Sequence, residues 1–302
     1  MGHKSGFIAI LGRPNAGKST LMNALVGRKV AIVTPRPQTT RNRIQGIVNR
    51  EDAQIVLVDT PGIHRPDSVL GKQMMGEVAA AVEGIDLLAL IVDVSEEFGA
   101  GDKYALELAG RFPGPALLLL NKIDLVQKSL LLPRIELYRQ AREFAEIIPI
   151  SAKTGEGLPE ALAAMAAHLP EGPAYFPADQ YTDQPERFLA GEIVREKAIL
   201  ATQQEVPYGL AVLVDRFEER PRLIRITATL YVERDGQRGI LIGKGGARLK
   251  KIGTSARKEL EELLGIKIYL ELFVKVQRNW RESPAMVRML DWRMQLDHMS
   301  RE

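Results

Sequence analysis

Short apolar runs at residues 7–11, 55–58, 87–92, 116–120 and 147–150 recur through the first half of the chain, separated by longer amphipathic stretches. Most of these runs are nearly continuous rather than alternating, the pattern of strands covered on both faces. The stretches 19–26, 70–82, 102–111, 134–144 and 158–168 carry apolar residues at helical spacing. Strands alternating with helices in this way predict an α/β domain. Its sheet is expected to be doubly wound and mostly parallel, with helices on both faces and ligands beyond the carboxyl ends of the strands.

The texture changes after Leu169. Pro170, Pro173, Pro177 and Pro185 fall close together and read as a stiff linker. Beyond it, 186–203 reads as a helix, and 210–217 and 223–232 as strands, the second alternating as Ile224, Ile226, Ala228, Leu230 and Val232. Two helical stretches then flank Gly243-Lys244-Gly245-Gly246, a strand covers 266–276, and a tail helix covers roughly 284–299. The expected division is residues 1–172, a linker at 173–185, and a smaller α+β domain at 186–302.

The first chemistry lies where the run 7–11 meets the next helix. Gly12-Arg13-Pro14-Asn15-Ala16-Gly17-Lys18-Ser19 fits G-x-x-x-x-G-K-[ST] and is followed by Thr20. Its glycines let successive backbone N–H groups curl around phosphate oxygens, Lys18 reaches the β- and γ-phosphates, and the Ser19 hydroxyl suits Mg²⁺. Asp59-Thr60-Pro61-Gly62 ends the run 55–58, which brings a carboxylate for Mg²⁺ and the Gly62 N–H for a γ-phosphate into the same crevice.

Asn121-Lys122-Ile123-Asp124 and Ser151-Ala152-Lys153 follow two further buried runs, and together they specify guanine. Asp124 can accept from N1–H and the exocyclic amine, a pair that adenine lacks, so GTP is favoured over ATP. Asn121 is expected to tie this loop to the phosphate loop, Lys122 to cover the base plane, and the Ala152 N–H to meet the guanine oxygen.

Between Arg28 and Arg43, a polar segment containing Gln38, Thr39 and Thr40 reads as a switch loop in which one threonine hydroxyl joins Mg²⁺ and the γ-phosphate. Thr40 is the favoured candidate, with Thr39 left open. Ile63 occupies the place where many GTPases carry a water-orienting glutamine, so unaided hydrolysis is expected to be slow. Asn15 is a candidate either to hold a monovalent cation or to brace the switch loop.

Composition narrows the remaining choices. The chain has no cysteine, and its four histidines, at 3, 64, 168 and 298, show no metal-ligand spacing. No stretch is long and apolar enough for a membrane span, and the first residues lack a signal-peptide core, so a cytoplasmic location is expected. A net charge of +3 conceals a local block: eight Lys or Arg against Asp235 alone between Arg234 and Lys258. Such a block suits a polyanion. The glycine turn lies inside it, flanked by Arg248, Lys250 and Lys251. In KH modules such a turn clamps a sugar-phosphate backbone, because glycines admit the main chain where side chains would collide.

These motifs, with Gln38-Thr39-Thr40-Arg41 in the switch loop and Val232-Glu233-Arg234, Gly239 to Gly246 and Leu249 to Gly253 in the second domain, make the chain resemble the bacterial Era GTPases over nearly its whole length. The nucleotide motifs alone are shared with GTPases that act on transfer RNA or the large ribosomal subunit; the KH module discriminates. The resemblance implies a P-loop domain followed by a type II KH domain. It implies hydrolysis of GTP to GDP, with Lys18, Thr40 and Gly62 at the reacting phosphate and Ser19, Thr40 and Asp59 around Mg²⁺. Stimulation by RNA or K⁺ is expected. The implied partner is single-stranded ribosomal RNA near the 3′ end of the small-subunit RNA, gripped by Gly243, Lys244, Gly245, Gly246, Arg248, Lys250 and Lys251 during 30S assembly and rRNA maturation. The protein is expected to act as a monomer, with weak peripheral contact to the inner membrane.

Overall fold

The computed structural model describes residues 2–202 and 206–294. The chain divides into two units: residues up to Arg65 with Met74–Asp183, and Pro66–Gln73 with the chain from Gln184 onward.

From the start of the chain to Asp183 the order is β1 (Lys4–Leu11), α1 (Lys18–Val26), β2 (Ile44–Asn49), β3 (Ala53–Asp59), α2 (Val69–Ala81), β4 (Leu87–Asp93), α3 (Ala100–Gly110), β5 (Ala116–Asn121), α4 (Leu131–Ala141), β6 (Glu146–Pro149) and α5 (Leu158–Ala167), all of it in the first unit except the start of α2. The strands form one sheet in the order β2-β3-β1-β4-β5-β6. All neighbours run parallel except β2, which pairs antiparallel with β3. Alternate residues of each apolar run feed opposite faces. Ile8, Ile55, Leu57, Ala89 and Leu117 join one buried cluster, and Ala9, Leu11, Leu88, Leu90 and Leu118 the other. Burial on both faces is why these runs are continuous in sequence.

The sequence pattern did not reveal β2. Ile44–Asn49 is a short edge strand reading Ile-Gln-Gly-Ile-Val-Asn directly after a cluster of arginines, too brief and too mixed for periodicity to register. Helix α4 begins earlier than the expected 134, because Pro133 is accommodated in its first turn, where a proline costs no intrahelical bond. The proline-rich stretch lies along this unit: the Tyr175 and Phe176 N–H groups donate to Gln54 Oε1 at 2.7 and 2.9 Å, and Thr182 pairs with Gly46.

The second unit continues as α6 (Glu186–Ala201), β7 (Ala211–Arg220), β8 (Leu223–Val232), α7 (Asp235–Ile242), α8 (Ala247–Leu264), β9 (Lys267–Val276) and α9 (Pro284–Met289). Its three-stranded sheet has the order β7-β8-β9, antiparallel then parallel. The inward residues Ile224, Ile226, Ala228, Leu230 and Val232 pack with Ile193 of α6 and with Ile252, Ala256 and Leu260 of α8 in one core. The expected tail helix is interrupted: α9 ends at Met289, a turn follows at Leu290, and residues 292–294 are helical again. Residues 295–299 of that expectation lie outside the described residues. Both tryptophans pack inward, Trp280 donating to the Gly209 carbonyl at 2.8 Å and Trp292 lying beside Phe188. Among the described residues, no helix is long and apolar enough to cross a membrane.

Candidate functional site

At the carboxyl end of β1 the chain turns tightly into α1, and the geometry demands small residues there. A Cβ on Gly17, whose φ is +102°, would lie 2.2 Å from Asn121 Nδ2, and one on Gly62 would lie 2.7 Å from Pro14 Cα. The turn encloses one side of a cleft of about 630 Å³ that also touches Thr20, the segment 32–35 and Lys122. A cleft of that size is in the range of small-ligand sites.

Lys18 is buried at the floor of this turn, and its Nζ donates to the Gly12 and Arg13 carbonyls, both at 3.1 Å. Burial pushes its ammonium down to about 8, against the upward pull of the Asp59 carboxylate. Asp59, at the end of β3, is fully buried, and burial pushes its carboxyl up. Its Oδ2 accepts from Ser19 Oγ at 2.7 Å and from Thr40 Oγ1 at 3.2 Å, and the two hydroxyls are 2.8 Å apart. Its Oδ1 is buried without a hydrogen-bond partner. Two hydroxyls and a half-satisfied carboxylate are hard oxygen donors of the kind that Mg²⁺ takes.

The structure distinguishes the two threonines. Thr39 Oγ1 donates to the Arg36 carbonyl at 2.7 Å and meets Thr34 Oγ1 at 2.6 Å, closing a small turn away from Asp59. Asn15 Nδ2 donates to the Pro35 carbonyl at 3.2 Å, so it braces the same turn. Ile63 is buried in the core, its N–H donating to the Gly12 carbonyl at 3.2 Å.

Asn121 links three loops. Its Nδ2 donates to the Ala16 carbonyl at 2.7 Å and its Oδ1 accepts from the Ala152 N–H at 2.9 Å. The Ala152 N–H, expected to meet the guanine oxygen, is thus bonded to a side chain at the same loop junction. Asp124 is exposed, and Ser151 Oγ donates to its Oδ1 at 2.7 Å and sets its direction. Lys153 is exposed beside them. Lys122 adopts a left-handed backbone, φ 67°, and its Nζ is 2.5 Å from Asp93 Oδ2. Asp93 was missed in the sequence, although the end of a central parallel strand is where such a residue belongs.

In the second unit, Gly243, Gly245 and Gly246 all have positive φ, at 71°, 58° and 78°. A Cβ on Gly245 or Gly246 would meet nothing within 4 Å, so the turn is open. Lys244 and Lys251 line a cleft on one flank with Gly243 and Ala247. On the other flank, Lys250 and Arg257 border a groove floored by Leu249, Leu270 and Leu272. The groove residues of β9 and Arg257 lay too far along the chain from the turn for motif reading to join them. Arg248 is exposed and lines the same cleft as Lys244 and Lys251, and its Nη1 donates to the Ile240 carbonyl at the end of α7. Arg281 is engaged by Glu233 through Nε at 3.2 Å and Nη2 at 2.9 Å.

Comparison with known proteins agrees with this architecture. A 50S ribosome-binding GTPase family model matches residues 7–122, and a KH domain model matches residues 205–281. The GTPase Era of Staphylococcus haemolyticus is 48% identical over 291 residues, covering 96% of this chain and 97% of that protein. Among solved structures, a variant of Aquifex aeolicus Era bound to GDP·AlF₄⁻ superposes with a TM-score of 0.91 at 41% identity, covering 96% of this chain and 99% of that one. Era in complex with MgGDPNP and nucleotides 1506–1542 of 16S ribosomal RNA gives a TM-score of 0.92 at 41% identity, with the same coverage. A nucleotide cleft with a half-satisfied buried aspartate, a KH fold with an open glycine turn, and relatives this similar along almost the full length mean that the chain belongs to the Era GTPase family.

Proposed function

We propose that the protein is a GTP-driven switch that grips single-stranded RNA near the 3′ end of the small-subunit ribosomal RNA and assists 30S assembly. The observation that carries the nucleotide half is Asp59, fully buried with one oxygen on the Ser19 and Thr40 hydroxyls and the other bare. A core aspartate left half-satisfied is costly unless a ligand completes it. When bound there, Mg²⁺ neutralises charge on the β- and γ-phosphate oxygens. Ser19, Thr40 and Asp59 hold it, Lys18 turns from the Gly12 and Arg13 carbonyls to phosphate oxygens, and the Gly62 N–H reads the γ-phosphate. Asp124, aimed by Ser151, accepts from the guanine edge.

Ile63 offers the attacking water no acceptor, so the slow basal rate depends on help. RNA or K⁺ supplies it, the latter with the Asn15 carbonyl oxygen as a ligand. The RNA half rests on the open turn Gly243–Gly246 and the groove beside it, where Lys244, Lys250 and Lys251 meet phosphates and the leucine floor receives bases. The Era complex with nucleotides 1506–1542 of 16S ribosomal RNA supports that choice of partner.

Phosphate release measured with and without such an RNA tests the coupling, together with RNA affinity in the GTP, GDP and empty forms. Because coupling between two ligands is reciprocal, RNA affinity is expected to differ between nucleotide states. Equal affinity in all three, with no change in turnover, would overturn the switch.

A further inference from the structure

Arg13, the first variable residue of the phosphate loop, has a backbone that the loop cannot do without. Its carbonyl accepts from Lys18 Nζ at 3.1 Å and from the Ala16 N–H at 3.3 Å. Its side chain leaves the loop and runs along the first turn of α3, where a Cβ on Gly101 would touch the Arg13 stem at 3.7 Å. The guanidinium ends 3.5 Å from Asp102 Oδ2.

Asp102 is 2% exposed. An aspartate three residues into a helix needs one bond back to the residue before the helix, and Asp102 has it, since the Gly99 N–H donates to Oδ2 at 3.0 Å. Its Oδ1 also accepts from the Tyr138 hydroxyl at 3.1 Å. Tyr138 belongs to α4 and is buried, its ring edge-on to Phe98. Burial and the neighbouring carboxylate push its phenol up, so it remains a donor across the working pH range. A buried carboxylate is retained only when its bonds are filled, and here the third partner is an arginine of the phosphate loop.

We propose that Asp102, clamped by Tyr138, is a positioning residue for GTP binding that acts through Arg13. It holds the start of the phosphate loop, and so the two carbonyls that aim Lys18, in the geometry that phosphate requires. The inference rests on the phosphate-loop reading above but fails separately from it: a wild-type protein that binds no guanine nucleotide would defeat that reading, whereas the cycle below tests the clamp alone.

The variants are Asp102→Asn, Arg13→Gln and the double, with GTP turnover and mant-GDP affinity as readouts and RNA affinity of the KH domain as the fold control. Each single variant is expected to raise KM for GTP about tenfold with kcat nearly unchanged, the pattern of lost ground-state positioning. The double variant is expected to match the singles, because residues sharing one interaction are non-additive. Arg13→Lys should recover part of the loss. Tyr138→Phe should raise KM about twofold to threefold in the wild-type background and not at all in Arg13→Gln. If Asp102→Asn fails to fold, the Tyr138 and Arg13 pair completes the cycle. Multiplicative effects, or a lowered melting temperature with unchanged KM, would overturn the proposal and leave Asp102 as a helix cap.

Discussion

The two candidate sites of this chain are built on opposite principles. In the nucleotide cleft four charged groups are already held: Lys18 by two carbonyls, Asp59 by two hydroxyls, Lys122 by Asp93, and Asp124 by Ser151. At the glycine turn of the second domain, Lys244, Lys250 and Lys251 are exposed and the main chain is bare. The first arrangement pre-pays orientation and suits one small ligand of fixed shape. The second leaves cations in water and the backbone accessible, which suits a long flexible polyanion. Damage to the cleft should therefore be severe and specific, and damage to the turn graded and salt-dependent.

The largest effect that would sharpen this contrast is expected from Lys18→Ala. Removing the buried cation proposed to meet phosphate is expected to weaken GTP and GDP binding by about 10³-fold, in line with the cost of breaking a desolvated charged hydrogen bond. RNA affinity of the nucleotide-free protein should stay unchanged. Fluorescent-nucleotide titration beside filter binding checks both, and tight GTP binding by the variant would remove the role assigned to Lys18.

Next comes Gly245→Asp. The backbone there has φ 58°, where an aspartate is strained but tolerated, and open space surrounds the position. The added carboxylate crowds the RNA backbone and repels it, so RNA affinity is expected to fall about tenfold to 100-fold, with a shallower salt dependence if a phosphate contact is lost. Basal GTP hydrolysis should not change. An unaltered RNA affinity would show that the turn is not the clamp.

The contrast also explains how much could be seen in the sequence. Motifs defined by local backbone geometry were legible: the turn from Gly12 to Ser19, Asp59 to Gly62, Asn121 to Asp124, and Gly243 to Gly246 each lie within a few residues. Relations carried by side chains across the fold were not. Asp93 reaches Lys122 only because β4 and β5 are neighbours, Ala152 lends its N–H to Asn121 across two loops, and Arg248 turns back to Ile240. The different surroundings of Thr39 and Thr40 likewise needed coordinates, since both are hydroxyls on one polar loop and only the local turn sends Thr39 toward Arg36. Strand β2 was hidden because edge pairing needs little apolar content.

A smaller, pH-dependent effect follows from Lys18. In the free protein burial holds its pKa down at about 8, while a bound phosphate favours the charged form. Above that value the free protein has lost a proton that the complex retains, so binding takes up a proton. Nucleotide affinity is then expected to be flat near pH 7 and to fall as pH rises past 8, by up to about tenfold per unit. Titrations from pH 7 to 9 check the sign. A flat profile would mean that Lys18 is charged throughout in the free cleft, and that the cleft is more open to water than its geometry shows.

The smallest predicted effect concerns Gly253 and tests the other half of the comparison. It lies inside α8, where a glycine costs about 0.5–1 kcal/mol relative to alanine. Its open side borders the groove that ends at Leu270 and Leu272, and an added Cβ would touch Leu272 Cδ1 at 3.4 Å, an ordinary contact. Gly253→Ala should thus stabilise the second domain, raising its melting temperature by a few degrees. The same methyl narrows the floor on which a base would rest, so RNA affinity should fall by a few-fold while GTP hydrolysis without RNA stays the same. A stability gain with undiminished RNA affinity would mean that bases do not enter this groove. The open turn would then hold RNA by its phosphates alone, and the second site would be a simpler electrostatic surface than its leucine floor implies.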